Sequence, residues 1–333
     1  MAQDDLFALI KSSEKIVIIQ ADNPDGDSLA SALALEQILG DMGKEPFLYC
    51  GVEVPGYLRY LAGWDRVSKE MPKNFDLSII VDNSAGSLLE SLERSGQRSW
   101  VSAKPCIVID HHAVDNTIPY ATVIWNQPAV ATSEVIYELA KTDKWPLNIG
   151  CMNMLATAIM SDSLGLISEG TTARSINIIA ELVEKGVSLA KIDSARRDLM
   201  RKSPALLKYK GELLQRLEFY HDNKIVIVSI PWEEIQRYGH AYNPSMLVID
   251  DMRMTEGAAL AIAFKQYPDG KITAKIRSNY NVDVAGELAK HFGGGGHPYA
   301  SGFKITDGRS YEAVKTECIE EASKLLDKNS TGQ

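Results

Sequence analysis

At 333 residues and a formal net charge of −9, the chain suits two domains of roughly 150 residues each. Its acidity argues against gripping long nucleic acid by phosphate neutralisation. With 45% hydrophobic and 24% charged residues it has the composition of a soluble globular protein with sizeable cores.

Four widely spaced cysteines, Cys50, Cys106, Cys151 and Cys318, form neither a CxxC pair nor a disulfide framework. There is no basic start leading into a long apolar run, and no apolar stretch of the length a membrane span requires. A cytoplasmic protein with reduced thiols and no membrane partner is expected.

In chain order, a strand is predicted over 16–20, then a loop over 21–27 and a helix over 28–42. That helix carries Leu29, Ala32, Leu33 and Leu39 at helical spacing and ends at Gly43. A short strand near 46–50 follows, then a strand ending at Val81, a helix around 87–94 and a strand ending at Ile109. Strands alternating with helices predict βαβ units and a mainly parallel sheet flanked by helices, an α/β fold.

Residues 131–141 and 148–161 have helical pattern, the second ending on Ser161-Asp162, and Thr171-Thr172-Ala173-Arg174 opens another helix to about Lys185. A helix-prone stretch rich in Lys, Arg and Leu runs from about 187 to 216, and 187–222 reads as a helical connection. It joins a first domain over 1–186 to a smaller α/β domain with a mixed sheet over 223–328. There, a strand over 225–230, a helix near 242–251 and a hairpin over 258–277 turning at Pro268-Asp269-Gly270 are expected. A helix over 282–292, the run Gly293-Gly294-Gly295-Gly296-His297, a strand over 300–305 and a final helix complete it.

The chemistry gathers after the predicted strands. Asp25 and Asp27 bracket Gly26, Asp82 follows Val81, and Asp110-His111-His112 follows Ile109. Carboxylates and imidazoles at the carboxyl ends of several strands are what a divalent-metal site in an open α/β sheet requires. Simpler readings exist for each part. Asp-Gly alone marks a turn. Asp27 could cap the following helix, which leaves Asp25 unexplained. Asp82 could be a turn residue, and Asp162 a cap. Two adjacent imidazoles after an apolar strand are harder to bury without partners. Thr171, Thr172 and Arg174 read equally well as a helix cap with a solvated Arg.

Taken together, the motifs resemble a DHH-family phosphoesterase with a DHH-associated C-terminal domain, of the kind that degrades nanoRNA and dephosphorylates 3′-phosphoadenosine 5′-phosphate (pAp). The carriers are Asn23-Pro24-Asp25-Gly26-Asp27, Asp82, Asp110-His111-His112 and Ser161-Asp162, then Arg277-Ser278, Val282-Asp283-Val284 and the segment from Gly293 to Phe303. The resemblance implies two divalent ions, manganese with magnesium as an alternative, acting in an interdomain cleft. It implies Asp25 on the first ion, Asp27, His111 and Asp162 on the second, and Asp82 bridging. His112, Asp82 and Asp110 are the implied catalytic residues. His112, Arg277, Ser278, Gly294, Gly295, Gly296 and His297 would bind substrate: a short oligoribonucleotide, a dinucleotide (linear or cyclic) or pAp. A homodimer is left open.

One position departs from the pattern. Three residues before Pro24, where such phosphoesterases usually carry a histidine, stands Ala21. A methyl group cannot ligate, so the first ion is expected to be weakened. A non-catalytic or weakened nucleotide-binding or regulatory protein is therefore the competing reading.

Overall fold

The computed structural model describes residues 2–331 except 241, 280, 281 and 298, with backbone only at 297, 330 and 331. The chain divides into two compact units, Met1–Arg201 and Lys202–Gln333.

The first unit runs α1 (Ala2–Ser12), β1 (Lys15–Gln20), α2 (Gly26–Asp41), β2 (Glu45–Cys50), β3 (Leu77–Val81), α3 (Glu90–Arg94), α4 (Arg98–Ser102), β4 (Cys106–Asp110), β5 (Val123–Asn126), α5 (Thr132–Thr142), α6 (Ile149–Asp162), α7 (Ala173–Glu184) and α8 (Leu189–Leu199). Its five strands are all parallel, in the order β2-β1-β3-β4-β5. The central strands β1, β3 and β4 are buried almost end to end and mainly apolar, as expected where both sheet faces are covered. Ile16, Ile18, Ile79 and Ile107 share a core with α2, α5 and α6, whereas Val17, Ile19, Ile80 and Val108 pack with Leu89, Leu92 and Val101.

The chain leaves β1 towards β2 on one side and returns to β3 on the other, so strand order reverses between β1 and β3. The loops at the carboxyl ends of those strands diverge there and open a crevice, the usual ligand position in doubly wound sheets. Asp25, Asp27 and Asp82 all follow these two strands.

The second unit contains α9 (Pro204–Gln215), β6 (Glu218–Tyr220), β7 (Ile225–Ile230), α10 (Trp232–Tyr238), α11 (Ile249–Arg253), β8 (Leu260–Gln266), β9 (Ile272–Ser278), α12 (Ala285–His291), β10 (Gly295–His297), β11 (Ala300–Ile305) and α13 (Tyr311–Thr331). Its sheet order is β10-β11-β9-β8-β7-β6, mixed because β7 and β8 pair in parallel and the rest antiparallel. One face packs on α12 and α13, the other on α9 and α11. Among the described residues no helix is long and apolar enough to cross a membrane.

Several boundaries differ from expectation. The connection predicted over 187–222 is divided between the units. Leu189 and Ile192 of α8 pack on the first core, whereas Leu206, Tyr209 and Leu213 of α9 belong to the second. The second sheet begins at β6, before residue 223. The helix expected near 242–251 is a 3-10 turn over Pro244–Leu247 followed by α11, and that over 282–292 contracts to Ala285–His291. Elements α1, α4, β5 and α10 lie outside the segments read from the sequence, β6 is a strand inside the predicted helical connection, and β10 a strand inside the Gly-rich run.

Candidate metal centre

Asp25 and Asp27 sit two residues apart at the start of α2 and do different work. Asp25 is the N-cap: its Oδ1 accepts the Ser28 N–H at 3.0 Å, and the Ser28 hydroxyl receives the Asp25 N–H at 2.9 Å. The cap is thus Asp25 and not Asp27, and Asp25 is exposed. Asp27 is fully buried and turned inward. It accepts the Ser31 hydroxyl at 2.8 Å and two backbone N–H groups from the start of α5, Thr132 at 2.6 Å and Ser133 at 3.3 Å. A helix N-terminus favours a carboxylate through its free N–H groups and its dipole. Burial nevertheless raises the Asp27 pKa above its usual range, His111 partly offsetting it.

Asp82 leaves β3 in the left-handed region, with φ 59°. For a non-glycine residue this is an uncommon and mildly strained state, met most often where function over-determines the backbone. Its N–H donates to Ile109 of β4 at 2.9 Å, and its Oδ1 accepts the Thr132 hydroxyl at 2.8 Å. Burial, then the neighbouring Asp27, pushes the Asp82 carboxyl well above its usual range.

His111 faces these acids. Its Nδ1 lies 3.1 Å from the Ala129 carbonyl, to which it donates. That bond fixes the tautomer and aims the Nε2 lone pair inward, as in metal-binding imidazoles. Nε2 lies 3.4 Å from Asp82 Oδ1, 3.7 Å from Asp162 Oδ2 and 3.8 Å from Asp27 Oδ2. It is buried and makes no hydrogen bond among the described residues. Ligand atoms of Asp27, His111 and Asp162 lie within 4.8 Å of one another, as do those of Asp82, Asp110, His111 and His112. Two buried carboxylates and a partly buried third surround one imidazole lone pair without a positive charge, and a hard divalent cation fits that donor set. Without one, protons take the role. Burial opposes a charged His111, but Asp82 and Asp27 outweigh it and raise its pKa to about 9. Asp162, at the end of α6, is pushed up to about 7 by burial and then by Asp27 and Asp25.

Asp110 is buried and touches this cluster through His112. Its Oδ1 accepts the backbone N–H of His111 at 2.8 Å and of His112 at 3.3 Å, and meets His112 Nδ1 at 2.8 Å. Burial works to raise the Asp110 pKa; His112 first, with Ser84 and the His111 backbone N–H, outweighs it and leaves the carboxyl below its usual range. The His112 side chain is half exposed, and its carbonyl is held by Asn126 Nδ2 at 2.8 Å. Adjacent imidazoles are therefore divided, His111 to the acids and His112 outward.

Ala21 is buried, its carbonyl accepting the Cys50 thiol at 3.4 Å. Neighbouring Asp22 does not stand in for the absent imidazole. Its carboxylate accepts the Ser91 N–H at 2.7 Å, and its own N–H donates to Leu88 at 2.8 Å. Thr172 is the N-cap of α7, and Arg174 pairs with Glu134 and Glu138, so both serve the helix packing. Thr132 and Ser133 were not singled out from the sequence. Their only local signal is a pair of hydroxyl residues opening a predicted helix, and it says nothing of Asp27, far away in the chain.

In the second unit, Arg277 and Ser278 end β9. Arg277 Nη1 donates to the Ile276 carbonyl at 2.9 Å, and Ser278 is buried. The glycines answer first to packing. A Cβ on Gly294 would lie 2.3 Å from the Gly302 carbonyl, and one on Gly296 2.6 Å from that of Ala300; Gly295 has open space. The His297 side chain, expected to bind substrate, lies outside the described residues.

The sequence comparisons agree with this geometry. Residues 15–161 match the DHH family, N-terminal domain, and 223–329 the DHHA1 domain. The bifunctional oligoribonuclease and PAP phosphatase NrnA of Bacillus subtilis is 25% identical over 306 residues, covering 90% of this chain and 92% of that protein. The Thermus thermophilus NrnA is 26% identical over 312 residues, covering 91% and 88%. An exopolyphosphatase-related protein from Bacteroides fragilis has the same fold, with a TM-score of 0.80 at 22% identity over 98% of this chain and 97% of that one. With both domains present in order and the motif residues brought together at the sheet's switch point, the chain belongs to the DHH family.

Proposed function

We propose that this chain is a divalent-metal-dependent phosphoesterase acting on short oligoribonucleotides, dinucleotides or pAp. The observation that carries the reading is His111, whose buried Nε2 makes no hydrogen bond among the described residues while Asp27, Asp82 and Asp162 surround it. Asp27, Asp82, His111 and Asp162 would hold one ion, and Asp82 with Asp25 a second. Manganese suits these oxygen and imidazole donors, with magnesium as substitute. When bound, such a pair would activate a water and neutralise phosphoryl oxygens.

The chain's own residues supply the rest. Asp110 orients His112 through Nδ1, leaving the outer face of the ring to donate a proton or hydrogen bond to a phosphoryl or leaving oxygen. Thr132 and the start of α5 hold Asp27 and Asp82 in register. The names of the Bacillus and Thermus relatives support the substrate class.

The test is incubation with manganese and pApA, pGpG, cyclic-di-AMP and pAp, before and after EDTA. Metal-dependent release of mononucleotide or phosphate from at least one is expected. No turnover of any, together with tight nucleotide binding, would overturn the reading.

A second reading, a nucleotide-binding protein with weakened chemistry, is favoured by Ala21 and by the use of Asp25 as a helix cap. The two separate through Ala21→His. Manganese affinity measured by calorimetry and turnover should both rise in that variant. Unchanged values would show that the first ion does not depend on this position.

A further inference from the structure

One peptide unit decides which nitrogen of His111 meets the acids. It joins Ala129 to Val130: its carbonyl accepts from His111 Nδ1 at 3.1 Å, and its N–H donates to Glu134 Oε2 at 3.3 Å. A trans peptide is planar, with its N–H and C=O pointing in opposite directions. Holding the N–H on Glu134 therefore aims the carbonyl at the imidazole.

The preceding residue is held as well. Arg174 Nη1 donates to the Pro128 carbonyl at 3.1 Å, so α7 and α5 grip the chain on either side of Ala129. The two grips are linked, because Arg174 Nε lies 3.0 Å from Glu134 Oε1. Glu134 is fully buried, and the Ser175 hydroxyl donates to its Oε2 at 3.0 Å.

Stability alone is a poor reason for such a pair. A buried carboxylate loses its water, and attraction to a guanidinium often does no more than offset that loss; apolar side chains of similar volume commonly serve a core as well. Here the carboxylate begins a chain of hydrogen bonds, Glu134 to peptide to His111. Its far end is the Nε2 lone pair among Asp27, Asp82 and Asp162. Polarisation along such a chain strengthens its bonds. An acceptor for Nδ1–H also fixes the tautomer and makes the ring a better ligand.

We propose that Glu134 is a positioning residue for the metal centre, acting on His111 through the Ala129–Val130 peptide, with Arg174 securing the same segment at Pro128. That His111 holds a catalytic ion rests on the phosphoesterase reading; the orientation of its ring can be tested without metal or substrate.

The experiment compares the full-length parent with Glu134→Gln and with Glu134→Met/Arg174→Met. Glutamine keeps an oxygen for the Val130 N–H, whereas the double variant removes both grips and leaves no buried charge unpaired. In EDTA, the downfield proton NMR spectrum of the parent should contain a His111 Nδ1–H resonance protected from exchange, identified by its absence from His111→Gln. That resonance should persist in Glu134→Gln and be lost to exchange in the double variant, whose melting temperature stays close to the parent's. Manganese affinity by calorimetry should fall about tenfold in the double variant, the lower end of what losing a ligand's hydrogen-bonding support costs, and by less in Glu134→Gln. Unchanged protection or unchanged manganese affinity in the folded double variant, or a parent without the protected proton, overturns the proposal. If the double variant does not fold, Glu134→Gln/Arg174→Met carries the test: its proton should exchange faster than that of Glu134→Gln, and equal rates overturn the proposal. If the protection pattern is as expected but the parent neither binds manganese nor turns over any substrate, the phosphoesterase reading fails and the positioning of the ring stands.

Discussion

Replacing Asp82 by asparagine is expected to abolish manganese-dependent turnover while making the metal-free protein more stable. Loss of a partner that merely orients a ligand costs about 10–100-fold, so loss of the carboxylate proposed to bridge two ions should exceed about 100-fold. Asparagine suits the test because it tolerates the left-handed backbone that Asp82 adopts at φ 59°. Its amide oxygen can still accept the Thr132 hydroxyl.

The stability gain follows from the direction of the Asp82 pKa, raised by burial and then by Asp27. A carboxyl whose folded pKa lies above its unfolded value holds extra protons in the folded state. Its penalty is absent below the unfolded pKa, near pH 4, and grows as pH rises towards the folded pKa. The asparagine variant should therefore melt higher than the parent in EDTA at neutral pH, and alike near pH 4. A lower melting temperature at neutral pH, or unchanged manganese affinity, would count against this account of the site.

Gly26→Ala is expected to damage both stability and activity. A Cβ there would lie 2.1 Å from Ser161 Oγ and 2.8 Å from Ser161 Cβ. Rotating the hydroxyl relieves the first clash but not the second, so α2 and α6 must separate. Overpacking of this kind costs about 1–3 kcal/mol, several degrees of melting temperature in a unit of this size. The same shift moves Asp27, at the start of α2, away from Asp162, at the end of α6. Removing the obstruction in Gly26→Ala/Ser161→Gly should restore much of both properties, a coupling that a double-mutant cycle measures directly. If the single variant melts and turns over like the parent, the close approach of the two helices is not needed.

The acids and imidazoles were legible because all but Asp162, which ends a helix, follow an apolar run long enough to be a buried strand. A strand end at the switch point of a parallel sheet is a place where polar side chains converge. The first helix, by contrast, has only Leu6 and Ile10 buried, and β5 is four residues long, too little pattern for either to stand out. The boundary between the units was blurred because α8 and α9 have similar helical character and differ only in which core their apolar faces meet.

By itself the sequence determined that the chain is an α/β protein of DHH type, with carboxylates and imidazoles after three strands and an alanine where an imidazole is usual. Tertiary structure alone decided what each residue does. Asp25 has extended backbone just before the helix, φ −123° and ψ −164°, and its carboxylate turns back to the Ser28 N–H, while Asp27 in the first turn enters the core. Whether His111 or His112 meets the acids depends on the Ala129 carbonyl and on Asp110. Thr132 and Ser133 matter only because α5 starts against Asp27, more than a hundred residues from it in the chain. Local pattern encodes burial and periodicity, whereas the partner of a buried charge is set by which distant elements the packing brings to it.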